Sequence, residues 1–274
     1  MTAPLFKVDQ LRLSLPDMTR KPLLRAAPRI EILKGVSFEI ATGSTVGIVG
    51  ESGSGKSTLG RALVRLYEPT SGNIVFDGCD LTHMSQSELR PLRRNLQVIF
   101  QDPMSSLNPR KTIGAIIAAP LRFHGLADSA VAARFGVAAA LDAVGLPGAF
   151  ASRYPHELSG GQRQRVGIAR AIAVAPRFVL ADEIVSGLDV STQAQILDLL
   201  ARLKNQLRLT LAFISHDLSV VRRLCDRVIV MQGGVIVEDR ETAALFAAPE
   251  HPYTRQLLAA IPLPEIDAAW LEAT

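Results

Sequence analysis

Cysteine is nearly missing. The 274 residues hold two, Cys79 and Cys225, too few for a disulfide framework or a four-cysteine cluster. Two ordinary reduced thiols are expected. Extended apolar stretches are absent too. None approaches the roughly 18 consecutive apolar residues of a membrane-spanning helix, so none is expected. Residues 1–7 do not join a basic start to a following apolar stretch, and no secretory leader is expected there. Neither sign of charge dominates: 30 basic against 26 acidic side chains leave a formal +4. That is too little to imply a nucleic-acid partner, and it suits the neighbourhood of an anionic membrane face equally well. No internal repeat or low-complexity tract stands out. What remains is 48% apolar and 20% charged residues, a globular composition rather than a disordered one. The length can bury a sizeable core, as one large domain or one domain with a smaller lobe.

The order of elements is legible from local pattern. Val8 to Leu15 and Ile30 to Ile40 read as strands. Between them Pro16 to Arg29 carries three prolines and four basic residues against one acid, the composition of a solvated loop or a long hairpin connection. Thr45 to Val49 is a short apolar strand, and Ser57 to Tyr67 reads as a helix after a Gly/Ser-rich turn. Asn73 to Phe76 and Leu96 to Phe100 read as further short strands. From about residue 103 to 175 the texture changes. Ile113 to Phe123 and Ser129 to Val144 are Ala-rich helices punctuated by glycine and proline, a helical subdomain inserted into the core. Strands and helices then alternate again. Phe178 to Ala181 is a strand, and Ser191 to Leu207 is a helix with a stripe of Ile196, Leu199, Leu200, Leu203 and Leu207. Leu209 to Ile214 is a strand, and Arg227 to Met231 with Val235 to Glu238 is a hairpin around Gln232-Gly233-Gly234. The expectation is an α/β fold with a mostly parallel sheet covered on both faces.

Two segments carry phosphate chemistry. Gly50-Glu51-Ser52-Gly53-Ser54-Gly55-Lys56-Ser57 fits G-x4-G-K-[ST]. Its glycines let successive N–H groups turn inward toward phosphate oxygens, and the following helix adds its positive end at the same place. Lys56 supplies a mobile point charge, and the Ser57 hydroxyl is a hard ligand for Mg²⁺. This motif means a nucleoside triphosphatase or a kinase, without choosing among GTPases, kinases and transport ATPases. The second segment is Leu158-Ser159-Gly160-Gly161-Gln162. The glycines are disfavoured inside a helix, so they start one, and a serine hydroxyl with free amides there forms a second anion site. One nucleotide does not need two such sites. The second is therefore expected to serve a nucleotide held by another subunit. Between and beyond them, the apolar run Phe178 to Ala181 ends in Asp182-Glu183. At the carboxyl end of a buried strand Asp182 can hold Mg²⁺ through water, and Glu183 can act as general base toward water.

With these residues in order, the chain resembles the ABC ATPases. Leu158 to Gln162 looks like the family signature, and Gln101, after Val98-Ile99-Phe100, resembles the Q-loop glutamine. Asp182-Glu183 resembles Walker B with its catalytic glutamate. Ser186-Gly187-Leu188-Asp189 resembles the D-loop, and His216 the switch histidine. Further segments narrow the likeness to the peptide and nickel importer ATPases: Ser106-Leu107-Asn108-Pro109-Arg110, Arg153 to Leu158, Gly161 to Arg165, and the tail His251-Pro252-Tyr253-Thr254. Ile168-Ala169-Arg170-Ala171 looks like the second of the two ATPase subunits such importers carry.

The resemblance implies a P-loop NTPase core with an N-terminal antiparallel β subdomain and the inserted helical lobe. Residues 1–250 would form the ATP-binding domain and 251–274 a short C-terminal extension. It implies ATP and Mg²⁺ as cofactors. Gly50, Glu51, Ser52, Gly53, Ser54, Gly55, Lys56, Ser57, Thr58, Gln101 and Asp182 would hold the nucleotide of the same chain. Ser159, Gly160, Gly161, Gln162 and Asp189 would complete a composite site. Ser57, Gln101 and Asp182 would attend the metal, and Glu183, His216 and Gln101 would carry catalysis. The implied partners are a second ATP-binding subunit, two transmembrane permeases and, indirectly, an extracytoplasmic solute-binding protein, with no nucleic acid. The implied location is peripheral, on the cytoplasmic face of the bacterial inner membrane. The alternative is a soluble ABC ATPase working on DNA or ribosomes, but such proteins carry coiled-coil insertions or tandem ATPase domains. Two departures stand out. Leu15 falls where the family places an adenine-stacking aromatic, so slack base discrimination is expected. The four cysteines some relatives use for an iron–sulfur cluster are absent, and none is expected.

Overall fold

The computed structural model describes residues 4–17 and 27–260. β1 (Pro4–Pro16) and β2 (Arg29–Ala41) pair antiparallel from Pro4↔Ala41 to Pro16↔Arg29. The Asp17 amide donates to the Pro28 carbonyl at 2.7 Å, so the antiparallel pairing of the two strands extends to both ends of the Pro- and Arg-rich stretch. Residues 18–26 of it lie outside the described residues. β3 (Thr45–Val49) is buried along its length and leads to α1 (Lys56–Leu63). The sequence pattern predicts this helix to run to Tyr67, but it stops at Leu63. Arg65 turns left-handed (φ 53°), and its buried guanidinium donates to the carbonyls of Leu81 (2.7 Å) and Met84 (3.0 Å). A tertiary anchor ends the helix, where local propensity would have extended it.

β4 (Ser71–Phe76) and the two-residue β5 (Cys79–Asp80) complete a four-stranded antiparallel sheet of order β2-β1-β4-β5. α2 (Gln86–Leu92) begins in a capping box. The Ser85 hydroxyl accepts from the Glu88 amide, while the Glu88 carboxylate takes the Ser85 amide at 2.8 Å. β6 (Leu96–Ile99) precedes a helical stretch of α3 (Pro103–Ser106), α4 (Ile113–Phe123), α5 (Ala130–Ala143) and α6 (Gly160–Ile172). Thr112, Ser129 and Ser159 cap the last three. α6 ends at Ile172, and Ala175 beyond it turns left-handed.

β7 (Phe178–Asp182), α7 (Val190–Leu207), β8 (Thr210–Ile214), α8 (Leu218–Leu224) and β9 (Arg227–Gln232) resume the alternation. β10 (Val235–Glu241), α9 (Thr242–Ala247) and α10 (Pro252–Ala259) follow. On α7 the stripe buries Ile196, Leu199, Leu200 and Leu203, but Leu207 is 43% exposed at the last turn.

The second sheet has the order β10-β9-β3-β8-β7-β6. Only β9 with β10 is antiparallel; β9, β3, β8, β7 and β6 are mutually parallel. Its strands alternate between two cores. Ile48, Leu180, Ile214 and Met231 face α1 and the antiparallel sheet. Val179, Ala181, Leu211, Phe213 and Val230 face α4 to α8. Both faces are covered, which is why these strands read as continuous apolar runs. Phe6 of β1 joins the two sheets, its ring 4.9 Å from that of Phe76 and 4.6 Å from that of Phe178. Gly60 of α1 sits so close to the sheet that a Cβ would meet Leu180 and Ile214 side-chain atoms at 2.8 Å. The glycine lets the helix after the phosphate loop lie directly on β7 and β8.

Candidate functional site

Strand register brings the site together. Ile99 pairs with Ala181 across β6 and β7, so Gln101 and Glu183 each lie two residues past a paired position. Ile48 pairs with Ile214 across β3 and β8, which does the same for Gly50 and His216. Four parallel strands thus deliver Gln101, Glu183, His216 and the phosphate loop to one edge, the carboxyl end of an open α/β sheet, where ligands bind.

The phosphate loop leaves β3 at Gly50, whose φ of 147° suits glycine. A Cβ there would meet the Met231 carbonyl oxygen at 2.1 Å. Gly55 (φ 102°) turns the chain into α1, and no side chain caps that helix. α2, α4, α5, α6, α7 and α8 all have side-chain caps. Lys56 Nζ lies inside the loop and donates to the carbonyls of Gly50 and Glu51, each at 2.7 Å. Burial lowers the pKa of this ammonium, against the pull of Glu183, Asp182 and Glu51.

Asp182, 3% exposed at the end of β7, accepts the Ser57 hydroxyl at 2.9 Å and faces the Arg61 guanidinium at 3.4 Å. Arg61 was not singled out by sequence. It sits one turn beyond Ser57 on α1, and that helical spacing was the available signal. The Tyr67 hydroxyl, then Asp182, raises its pKa.

Glu183 has the left-handed φ of 50°, unusual for a residue with a Cβ. Its amide donates to the Ile214 carbonyl at 3.0 Å, and its own carbonyl takes the Ser186 hydroxyl at 2.7 Å. Its carboxylate Oε2 accepts from Gln101 Nε2 at 3.0 Å and lies 3.6 Å from His216 Nδ1. The three residues expected to carry catalysis therefore meet on one carboxylate oxygen. Gln101 also reaches the Ser186 hydroxyl at 3.4 Å. Ser57 and Asp182 are joined directly, whereas Gln101 is bonded to Glu183 and has no hydrogen bond to either of them among the described residues.

Ser159 and Gln162 serve their own helix. The Gln162 amide donates to Ser159 Oγ at 3.3 Å, and the Ser159 amide donates to Gln162 Oε1 at 3.0 Å. Gly160 lines a cleft of about 580 Å³ with Gln101, Asp102, Ser186, Gly187 and Leu188. Among the described residues no hydrogen bond or ion pair joins Ser159–Gln162 to Gly50–Thr58. Asp189 caps α7, taking the Thr192 amide at 2.8 Å and its hydroxyl at 2.7 Å. Those two bonds hold its carboxyl below the usual range. Leu15 is half-buried, paired with Ile30 and packed on the antiparallel sheet's core. Phe6 is fully buried and cannot stack on a base. Sequence reasoning gave Tyr253 no role, yet its hydroxyl accepts the Glu51 amide of the phosphate loop at 2.8 Å.

The donor set fits a nucleoside triphosphate. The uncapped end of α1 points its amides at the loop's interior, and the buried Ser54 hydroxyl finds no partner among the described residues. It also fits Mg²⁺. Among the described residues no three His, Cys, Asp or Glu side chains form a metal cage. The Ser57 hydroxyl and Asp182 carboxylate offer the few hard oxygens that Mg²⁺ supplements with water and phosphate.

Comparison with known proteins gives the family. A Brucella ovis protein named for peptide import ATP binding is 51% identical over 261 residues, covering 92% of this chain and 82% of its own. The oligopeptide transport ATP-binding protein YkfD of Bacillus subtilis, so named, is 48% identical, covering 96% of this chain and 78% of its own. The glutathione import ATP-binding protein GsiA of Salmonella paratyphi A is 49% identical across 90% of this chain, which spans 40% of that longer protein. Among solved structures, the dimeric post-hydrolysis state of the ATP-binding cassette MJ0796 bound to ADP and Pi superposes with a TM-score of 0.76. It is 31% identical and covers 86% of this chain and 98% of that one. The ABC transporter family model matches residues 33–186, and with these relatives spanning nearly the whole chain, the protein belongs to the ABC transporter family.

Proposed function

We propose that this chain is the ATP-hydrolysing subunit of an importer for short peptides and that its ATP site is completed by a second ATP-binding subunit. The observation that carries the chemistry is the meeting of Gln101, Glu183 and His216 at the strand ends beside the phosphate loop. ATP is the substrate, held by the loop amides, Lys56, Ser57 and Thr58. Ser57 and Asp182, with Gln101, would hold Mg²⁺, which supplies charge neutralisation on the phosphates when bound. Glu183 takes a proton from water as that oxygen attacks the γ-phosphorus and the bond to the leaving ADP oxygen breaks. Gln101 and His216 fix the orientation of the Glu183 carboxylate. The separation of Ser159–Gln162 from the chain's own loop supports a head-to-tail pair, in which each signature helix caps the other's nucleotide. Closure on ATP and reopening after hydrolysis would then drive alternating access of separate permeases.

The peptide assignment rests on the names of the relatives at 48–51% identity. Among the described residues no helix is long and apolar enough to cross a membrane, so the membrane path is assigned to other chains. The test is affinity capture of this chain from detergent-solubilised host membranes, with co-purifying subunits identified by mass spectrometry. Two hydrophobic permeases and a related ATPase are expected, together with uptake of labelled peptide by vesicles bearing them. Uptake of nickel instead would replace the substrate. Recovery of only ribosomes or DNA-repair proteins would overturn the transport assignment.

A further inference from the structure

We infer that α10 is a clasp on the phosphate loop and that Tyr253 is a positioning residue for ATP binding; this rests on the reading of that loop as the ATP site. One peptide unit carries the argument. The Gly50 carbonyl and the Glu51 N–H belong to the same trans peptide, so they point in opposite directions. Lys56 Nζ holds the carbonyl side at 2.7 Å, and the Tyr253 hydroxyl holds the N–H side at 2.8 Å. Rotating this plane would swing the Gly50 carbonyl away from the lysine that is meant for phosphate. The tyrosine therefore sets the place of Lys56 without touching nucleotide.

The hydroxyl is rigidly presented. Tyr253 is 4% exposed and belongs to the core cluster that also holds Leu218, Val220 and Val221 of α8. The start of α10 is anchored by a buried acid on β10. Glu238 accepts the amides of Glu250 and His251, both at 3.0 Å. His251 Nδ1 in turn accepts the Tyr253 amide at 3.2 Å. Arg240 bridges to Glu250 at 3.0 Å and donates to the Ala248 carbonyl at 2.8 Å. Further along, Leu257 and Ala260 form one wall of a cleft of about 440 Å³ whose other walls are Val49, Gly50 and His216–Ser219. One short helix thus braces the loop that would bind phosphate and faces, across that cleft, the loop that carries His216. This gives His251-Pro252-Tyr253-Thr254 a physical task. Its histidine and proline start the helix, and its tyrosine reaches the loop.

The test is Tyr253→Phe, which keeps the ring and removes only the hydroxyl. Loss of this one part-buried hydrogen bond should weaken ATP binding about 3- to 10-fold. KM for ATP should rise by the same factor, and kcat at saturating ATP should stay within about twofold. Hydrogen exchange at the Glu51 amide, measured without nucleotide, should speed up by a similar factor while the melting temperature holds. Unchanged exchange and unchanged ATP affinity in the variant would overturn the inference. A wild-type chain that binds no ATP would instead overturn the ATP reading of the loop, and the nucleotide-free exchange separates the two failures.

Discussion

At the scale of single residues, the site depends on charges and dipoles held before any ligand arrives. Glu183 keeps a left-handed backbone at a cost of about 1–3 kcal/mol, and two hydrogen bonds hold it there: its amide donates to the Ile214 carbonyl of β8, and its carbonyl accepts the Ser186 hydroxyl of the same loop. Such strain directs its carboxylate between Gln101 and His216, not along the strand. Lys56 is buried against its own charge, which makes it costly for the fold and useful for a phosphate. Lys56→Ala should weaken ATP binding by about 10- to 100-fold, the worth of charge-assisted hydrogen bonds. A fluorescent-nucleotide titration reads this directly, and unchanged affinity would count against the loop. Leu15 offers no π-face, and the fully buried Phe6 cannot replace it. Hydrolysis of ATP and GTP at rates within about threefold is expected, since apolar contact alone discriminates weakly; a strong ATP preference would mean another residue stacks on the base. Arg61 was missed, and Gln101 and His216 were placed by their order in the family pattern; the phosphate loop, Asp182-Glu183 and Ser159–Gln162 were legible because each is a contiguous motif. Tyr253 was not, because its partner is 202 positions away and a sequence does not say which loop a helix will touch.

At the scale of elements, the parallel register does the positioning. β6, β7, β8 and β3 each carry a functional residue two positions or fewer past their last paired residue. Any slip would separate Gln101 from Glu183, and burial on both faces forbids it. Phe6 ties the antiparallel sheet to this arrangement. Phe6→Ala should lower stability by about 3–5 kcal/mol, read by chemical denaturation. A loss below 1 kcal/mol would mean the two sheets are held by something else. Strand and helix order could be read from apolar period and turn residues. So could the ends of α4, α5 and α7, to within one residue, but not the end of α1. α1 stops early because Arg65 is drawn to Leu81 and Met84, a contact between segments that no local rule encodes. α2 was overlooked although Ser85 and Glu88 spell a capping box, because seven residues with an internal proline give little periodicity.

At the scale of the whole molecule, the two segments proposed to meet phosphate do not meet each other. The loop and the Glu183 cluster share the strand ends, while the signature helix spends its cap on itself and opens onto a cleft beside Gln101. On the proposed reading a single chain carries the donor half and the capping half of a composite site, which is the physical reason to expect a partner subunit. Coupling of hydrolysis to transport is the central claim. The most direct measurement reconstitutes this chain with its permeases in liposomes and follows ATP hydrolysis and peptide uptake together, for wild type and Glu183→Gln. The account predicts that hydrolysis falls by about 10²–10⁴, that uptake falls with it, and that ATP binding is retained. Full turnover in the variant, or uptake that persists when hydrolysis has stopped, would contradict it.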